Sequence, residues 1–293
     1  MVKLGTCGSN YNLSLSFWNQ FDHLVGGYFF ERQNAIALGN YLEKPVWVTF
    51  LYGTRNHKLP THWKNPPKSH EDWVERFMGN LGKKSHGIIL ANEFKGDSSQ
   101  VYYPNFEPEN ISRYISICRN ISPNTRIMLS DFKPWQIRRW HQIAQLCEQL
   151  REWGTSVDDI GIQLHLKQGG KARVVTELLP HIVKTLQSTG VNVHFNEVSV
   201  WRRWNEKDNT QYWWRKIFEI AEDYDVESLT PWWLFPEYDV KKPMPSFQGM
   251  IDGYLNFEKV GHHPIFNRSD LTAYDSRCLR LERNSAELEG FYN

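Results

Sequence analysis

The 293-residue sequence predicts an α/β fold in which short parallel strands alternate with helices. Aliphatic and aromatic runs alternate with helical patterns about seven or eight times, which is typical of a parallel sheet covered by helices. No linker, repeat or low-complexity segment divides the chain, and a barrel of such units takes roughly 250 residues as one domain. The expected architecture is therefore a (β/α)8, or TIM, barrel.

Each predicted strand is a short run rich in β-branched, aliphatic or aromatic residues. The second run alternates only loosely. Little chain precedes it, so an abbreviated first strand and helix are expected. The predicted strands are residues 2–5, 11–18, 45–52, 88–93, 126–132, 159–166, 193–201 and 226–233.

Between these strands, apolar residues recur at helical spacing. Pro108 and Pro134 begin two predicted helices, and Gly154 and Gly190 end two. The predicted helices are residues 29–42, 71–81, 108–120, 134–153, 171–189, 211–223 and 247–255. We expect one domain over residues 1–293, with its core over about 2–257 and a polar C-terminal extension over 258–293.

Composition excludes several classes of function. The formal net charge is +1, so a surface for nucleic acid or an anionic membrane is not expected. No apolar run approaches the roughly 20 residues of a membrane span. Residues 1–6, Met-Val-Lys-Leu-Gly-Thr, do not have the pattern of a secretory signal peptide. The expected location is extracellular if a leader has been removed, and cytoplasmic otherwise.

Cysteines and histidines do not predict a metal site or a disulfide framework. The widely spaced cysteines are Cys7, Cys118, Cys147 and Cys278. They form no C-x-x-C pair, so isolated thiols are expected. Two pairs of histidines are close in the sequence: His57 with His62, and His262 with His263. Neither pair has a carboxylate or cysteine at ligand spacing, so we expect no metal and no other cofactor.

Two glutamates stand where buried strands should continue with apolar residues. Residues 87–94, Gly-Ile-Ile-Leu-Ala-Asn-Glu-Phe, run into Asn92-Glu93, and residues 193–201, Val-His-Phe-Asn-Glu-Val-Ser-Val-Trp, contain Asn196-Glu197. A carboxylate there is costly to bury without partners. Either glutamate alone could be a surface residue just past a strand end. Two in the same context suggest paired acid/base chemistry, as in glycoside hydrolysis.

Polar or aromatic residues recur at the ends of five predicted strands. They are Asn92 and Glu93, Asp131, Gln163 and His165, Glu197, and Trp232 with Trp233. The carboxyl ends of barrel strands converge on one face, where active sites lie. A structural role is the alternative for any one of them, such as His165, but repetition at five strands favours a functional site.

The order of these motifs resembles glycoside hydrolase family 10, the retaining endo-β-1,4-xylanases, over about residues 11–257. Ala91-Asn92-Glu93 is similar to the acid/base motif on the family's fourth strand. Asn196-Glu197-Val198 is similar to the nucleophile motif on the seventh, usually Thr-Glu-Leu-Asp. Residues 159–166, Asp-Ile-Gly-Ile-Gln-Leu-His-Leu, are close to the sixth-strand Gly-Ile-Gly-x-Gln-x-His.

Three weaker matches extend the resemblance. Ser130-Asp131-Phe132 resembles Asn-Asp-Tyr on the fifth strand, and Thr230-Pro231-Trp232-Trp233 resembles Thr-x-Trp on the eighth. Residues 59–63, Leu-Pro-Thr-His-Trp, resemble the Leu-Pro-Ser-Trp that follows the third.

The resemblance implies hydrolysis with retention, with Glu197 as nucleophile and Glu93 as acid/base. Asn92 would donate to the sugar 2-hydroxyl, and His165 would hydrogen-bond Glu197. Gln163 and Asp131 would form a supporting layer, and two tryptophans would wall the sugar nearest the cleaved bond. The implied substrate-binding residues are Asn92, Asp131, Gln163, His165, Trp232, Trp233 and Trp18.

Two departures concern the glycone side. Family members carry Glu-Asn-x-x-Lys-Trp on the second strand, whereas residues 13–18, Leu-Ser-Leu-Ser-Phe-Trp, keep only Trp18. The third strand, residues 48–52, Val-Thr-Phe-Leu-Tyr, lacks the histidine of Gly-His-Thr-Leu-Val-Trp. A β-glycoside substrate is therefore implied more strongly than xylan.

Two alternatives remain open. One is another retaining barrel glycosidase, exo-acting or acting on a glucan, a mixed glycan or a different β-glycan. The other is a non-catalytic carbohydrate-binding descendant, which predicts the loss of a carboxylate, and neither carboxylate is lost. In each case we expect a polysaccharide or oligosaccharide ligand, no nucleic-acid or membrane partner, and a monomer.

Overall fold

Eight parallel strands close into a barrel in a computed structural model of the chain. The structure describes residues 2–6, 22–26, 32–52, 65–96, 101–167, 170–201 and 210–232. The strands are β1 (Lys3–Thr6), β2 (His23–Gly26), β3 (Val46–Tyr52), β4 (Gly87–Asn92), β5 (Arg126–Asp131), β6 (Asp159–Lys167), β7 (Asn192–Trp201) and β8 (Ser228–Pro231). Each strand pairs with the next, and β1 closes the barrel by pairing with β8, where Lys3 lies opposite Ser228. The predicted barrel is therefore confirmed.

Helices follow the strands along the chain. They are α1 (Arg32–Leu42), α2 (His70–Asn80), α3 (Pro108–Ile121), α4 (Ile137–Glu152), α5 (Gly170–Gln187) and α6 (Thr210–Asp223). Two 3-10 turns cover Gly82–Lys84 and Pro104–Phe106. Gly154 and Gly190, just past α4 and α5, have φ of 76° and 86°, the left-handed conformation that favours glycine at a helix end. None of the helices that the structure describes is long and apolar enough to cross a membrane.

The second strand lies elsewhere than predicted. We expected it at residues 11–18, which are outside the described ranges, but β2 is His23–Gly26. It pairs with β1 through Gly5 opposite His23, and with β3 through Leu24 opposite Val46. Loose alternation was a misleading signal, because strands of a parallel barrel are buried on both faces and need not alternate. Trp18 therefore precedes the second strand and does not end it.

Other sequence predictions fall outside the described residues. They are the helix over 247–255, the extension over 258–293, the 59–63 motif, Trp233, and the histidines His57, His62, His262 and His263. Of the four cysteines, Cys118 and Cys147 are described, and both are buried free thiols, as expected.

Alternate residues of β3 pack on its two sides. Val48 and Phe50 belong to the main core between strands and helices, where the Phe50 ring stacks on Phe77 of α2 with centroids 4.1 Å apart. Trp47, the residue before Val48, packs with Ile89 and Met128 in a smaller cluster on the other side, inside the barrel. The outer face of the sheet thus anchors the helices, while the inner face fills the barrel.

A glycine makes room for a polar side chain inside the barrel. A Cβ atom on Gly161 of β6 would lie 2.3 Å from Nδ2 of Asn196 on β7, closer than any side chain tolerates. Asn196 is buried, and its Nδ2 donates to Met128 Sδ at 3.2 Å. The absent side chain at 161 is therefore what allows Asn196, the residue before Glu197, to pack against β5 and β6.

Candidate active site

Both candidate carboxylates sit on strained backbone. Glu93 follows β4 directly and has φ of 55°, and Glu197 lies within β7 and has φ of 50°. The left-handed conformation costs a non-glycine residue roughly 1–3 kcal/mol and persists only where the surroundings enforce it. Glu43, Lys133 and Asp225 share this conformation in the described part of the chain, so the backbone of the two glutamates indicates a functional site only together with their contacts.

A β-bulge accounts for the conformation of Glu197. Between the pairs Gln163–Asn196 and His165–Ser199, β7 contributes one residue more than β6. The register of β7 against β8 shifts in the same place. The extra residue falls at Glu197, and bulges re-aim side chains in this way next to active sites.

Two amides connect the candidate carboxylates. Gln163 Nε2 donates to Asn92 Oδ1 at 3.1 Å, and Asn92 Nδ2 donates to Glu197 Oε1 at 3.2 Å. Gln163 also hydrogen-bonds the Glu93 side chain. An ionised carboxylate can only accept hydrogen bonds, so the orientation of Asn92 is determined: its amide NH2 faces Glu197 and its oxygen faces Gln163.

The surroundings raise the pKa of Glu93 above its ordinary value. Burial is the largest cause, and the negative charge of Glu197 is the next. The hydrogen bond from Gln163 and the nearby His165 oppose the shift in part. Glu197, by contrast, is hydrogen-bonded by Asn92 and faces His165. Two carboxyl groups in one site with unlike surroundings can take different roles, one as acid and one as anion.

His165 lies between Glu197 and a serine. Its Nε2 is 3.4 Å from Glu197 Oε2, and its Nδ1 is 2.9 Å from Ser199 Oγ. Because the carboxylate only accepts, a neutral His165 that bonds it carries its proton on Nε2, and Nδ1 then accepts from the Ser199 hydroxyl. The Glu197 contact thus selects the tautomer of His165, and the Ser199 hydroxyl, which can donate or accept, stabilises that tautomer by donating to Nδ1.

One of the predicted tryptophans is described. Trp232, half-buried, meets the His165 ring edge-on with centroids 6.1 Å apart. Its backbone N–H donates to the Val198 carbonyl at 2.8 Å, which ties the end of β8 to the bulge of β7. Trp233 and Trp18, also expected to bind substrate, lie outside the described residues.

Asp131 was expected among the substrate-binding residues, but it is fully buried and both of its oxygens are occupied by protein donors. Oδ1 accepts from Phe132 N at 2.7 Å and from Arg139 Nη2 at 2.6 Å, and Oδ2 accepts from Lys95 N at 3.1 Å. Burial raises the pKa of Asp131 to about 6, with the Arg139 charge opposing it. Asp131 therefore stabilises the backbone next to the site, and neither of its oxygens is available to a sugar.

Sequence reasoning missed two residues. Ser199 stands where the resembled motif has aspartate, so comparing the motifs position by position could have found it. Arg139 is a buried residue of α4, and no sequence signal separates it from the exposed Arg138 beside it. Among the described residues, no group of three His, Cys, Asp or Glu side chains could hold a metal ion.

Solved structures share this fold at low sequence identity. A family 10 glycoside hydrolase from Paenibacillus barcinonensis superposes with a TM-score of 0.66 at 16% identity, covering 91% of this chain and 96% of that one. Xylanase 10B from Thermotoga petrophila RKU-1, solved with xylobiose, gives a TM-score of 0.65 at 15% identity, covering 88% and 94%.

Sequence comparison identifies the family. An endo-1,4-β-xylanase A from Thermotoga neapolitana is 22% identical over 186 residues, which are 57% of this chain and 17% of that protein. This chain thus matches only a small part of that relative. The family model for glycosyl hydrolase family 10 matches residues 45–235, a segment that runs from β3 through β8 and includes both strained glutamates. The chain belongs to glycosyl hydrolase family 10.

Proposed function

We propose that this protein hydrolyses β-1,4-linked xylan or a related β-glycan with retention, using Glu197 as nucleophile and Glu93 as acid/base. One observation carries the proposal: Glu93 directly follows β4 and Glu197 stands at the bulge of β7, Asn92 hydrogen-bonds Glu197, and burial together with the charge of Glu197 raises the pKa of Glu93. A retaining glycosidase needs this pairing of an anion and a protonated acid.

In the first step, a Glu197 oxygen attacks the anomeric carbon while Glu93 gives its proton to the departing glycosidic oxygen. This breaks the glycosidic bond and leaves a glycosyl ester on Glu197. In the second step, Glu93, now ionised, takes a proton from a water that attacks the same carbon. The sugar leaves with its original anomeric configuration, and both carboxyl groups return to their starting states.

The hydrogen-bond partners of Glu197 fit a nucleophile. Asn92 Nδ2 uses one of its two hydrogens on Glu197 Oε1, so the second is available for the 2-hydroxyl of a bound sugar. His165 Nε2 lies 3.4 Å from the other carboxylate oxygen, Oε2. Both contacts restrict the rotation of the carboxylate, which keeps the attacking oxygen in place.

Substrate class rests partly on the relatives, which are named as xylanases. A different β-glycan is the second candidate, because β2 and the residues after it, His-Leu-Val-Gly-Gly-Tyr-Phe-Phe at 23–30, contain no Glu-Asn pair. With the second strand at His23–Gly26, the chain therefore still lacks the Glu-Asn of the family's second-strand motif.

Activity on aryl β-glycosides and on a polysaccharide panel tests the proposal. Glu197→Ala should abolish hydrolysis of both. Glu93→Gln should lower kcat/KM on substrates with poor leaving groups about 10²–10⁴-fold and spare those with good ones. Glu177→Gln, on the exposed face of α5, is the matched control and should change neither. Proton NMR of the first product should show retention. Inversion, or carbohydrate binding without turnover, would contradict the mechanism.

A further inference from the structure

A fully buried ion pair is hydrogen-bonded to the backbone of the segment that follows Glu93. Arg139 of α4 and Asp131 at the end of β5 are both fully buried, and Arg139 Nη2 lies 2.6 Å from Asp131 Oδ1. The same guanidinium donates to two carbonyls of the segment after β4: Nη1 to Gly96 at 2.9 Å and Nη2 to Lys95 at 2.9 Å. Asp131 Oδ2 in turn accepts from the Lys95 backbone N–H at 3.1 Å.

These bonds act on a short segment. Residues 93–96 leave β4 through the left-handed conformation of Glu93, whose N–H donates to the Ser130 carbonyl at 2.8 Å. Lys95, two residues on, has both its backbone N–H and its carbonyl bound by the ion pair. Strained backbone persists only where its surroundings over-determine it, and here the pair supplies three of the restraints on the side of Glu93 away from β4.

We propose that Arg139 and Asp131 are a positioning pair that holds the acid/base Glu93 over the leaving oxygen. The inference rests on the proposed function, since it assigns the pair a role in the proton transfer by Glu93. Neither residue touches substrate, because both are fully buried. Proton transfer requires hydrogen-bond reach, so a small relaxation of φ at Glu93 would withdraw the carboxyl group from the leaving oxygen.

Arginine is the residue type that this arrangement needs. Its planar group donates in fixed directions to Asp131 and to two carbonyls at once. Lysine keeps the charge, so Arg139→Lys leaves Asp131 compensated, but its compact ammonium cannot span the three acceptors. Arg139→Ala would leave a buried carboxylate without its partner and could unfold the protein. Arg139→Lys is therefore the informative variant.

The barrel offers a matched control at its opposite end. Arg126, at the start of β5, pairs with buried Asp159 at the start of β6, with Arg126 Nε 3.0 Å from Asp159 Oδ2. Arg126→Lys perturbs a partly exposed arginine paired with a fully buried aspartate in the same barrel, remote from the carboxyl ends of the strands. It should lower thermal stability without changing how the rate depends on the leaving group.

The experiment measures kcat/KM on two aryl β-xylobiosides, one with a dinitrophenyl group that leaves without protonation and one with a phenyl group that needs it. kcat/KM reports formation of the glycosyl-enzyme alone. We expect Arg139→Lys to lose about 30-fold or more on the phenyl substrate and less than about 3-fold on the dinitrophenyl one, resembling a weaker Glu93→Gln. Arg126→Lys should lose equally little on both.

Equal losses on both substrates for Arg139→Lys would overturn the inference, because general destabilisation lowers every rate alike. If the lysine variant does not fold, Asp131→Asn, which keeps the shape and one of the two acceptor oxygens, replaces it under the same criterion. The proposed function fails separately: it falls if wild type and Glu93→Gln show no difference in leaving-group dependence. If those two differ and the Arg139 variant does not follow Glu93→Gln, only the positioning role is wrong.

Discussion

Asn92 and Glu197 are joined by a 3.2 Å hydrogen bond although their strands, β4 and β7, are separated by β5 and β6 in the barrel. The bond therefore crosses the mouth of the barrel and does not run along the sheet. Gln163 of β6 completes the crossing by donating to Asn92 at 3.1 Å. Three strands thus contribute to the orientation of one carboxylate.

Removing the Asn92 amide should impair catalysis more than stability. Asn92→Ala takes a donor from Glu197 and an acceptor from Gln163, so we expect kcat/KM to fall roughly 10²-fold, the usual loss for a positioned donor at a reacting centre. Asn110→Ala, which removes a half-buried amide of α3 that donates to the Pro104 carbonyl, is the control. Equal losses in the two variants would contradict the role of Asn92.

Replacing Glu93 should raise the thermal stability of the protein at neutral pH while it lowers the activity. The folded state raises the pKa of Glu93, so it binds the proton more strongly than the unfolded state, and stability falls as pH rises from the ordinary glutamate value through the folded one. Glu93→Gln should therefore raise the thermal midpoint at neutral pH, with the gain vanishing at acid pH, while activity is lost. A midpoint difference independent of pH would contradict this.

Ser199 should stabilise the tautomer of His165 that carries its proton on Nε2, toward Glu197. With the hydroxyl removed in Ser199→Ala, Nδ1 loses its donor, and the tautomer that faces Glu197 loses its support. We expect about 3–10-fold lower kcat/KM and a shift of tautomer populations in the nitrogen NMR of labelled histidine. Ser116→Ala, a half-buried serine that bonds back to the Ser112 carbonyl on α3, is the control. Unchanged tautomer populations would refute the assignment.

His23, inside the barrel on β2, should make the fold acid-sensitive. Burial, reinforced by His194, His86 and the nearby lysines, lowers the pKa of His23 from 6.5 to about 3. Between those values the unfolded chain binds a proton that the folded one does not, so stability falls as pH falls.

The slope should reach roughly 1.4 kcal/mol per pH unit below pH 6.5. Denaturant unfolding at several pH values should show a shallower slope for His23→Gln, which can still hydrogen-bond the hydroxyl of Thr230, 3.2 Å from His23 Nε2. His181→Gln, on the exposed side of α5, should match wild type. An unchanged slope in the His23 variant would assign the acid sensitivity to other groups.

Much of the fold could be predicted from local pattern, because continuous apolar strands and amphipathic helices are properties of neighbouring residues. β4, β5 and β7 were predicted to within a residue or two at each end. The second strand was not, because a strand of four residues, His23–Gly26, carries too little periodicity to compete with a longer loose alternation at 11–18.

By itself, the sequence determined the alternation of strands and helices and the presence of an Asn-Glu pair in two of the strand regions. Only the closed barrel decided what those residues do. The contact of Asn92 with Glu197, the bulge that turns Glu197, and the use of Asp131 by Arg139 and Lys95 depend on register between strands far apart in the chain. A one-residue change of register moves a side chain to the opposite face, so these contacts follow from how the sheet closes and not from any local run of residues.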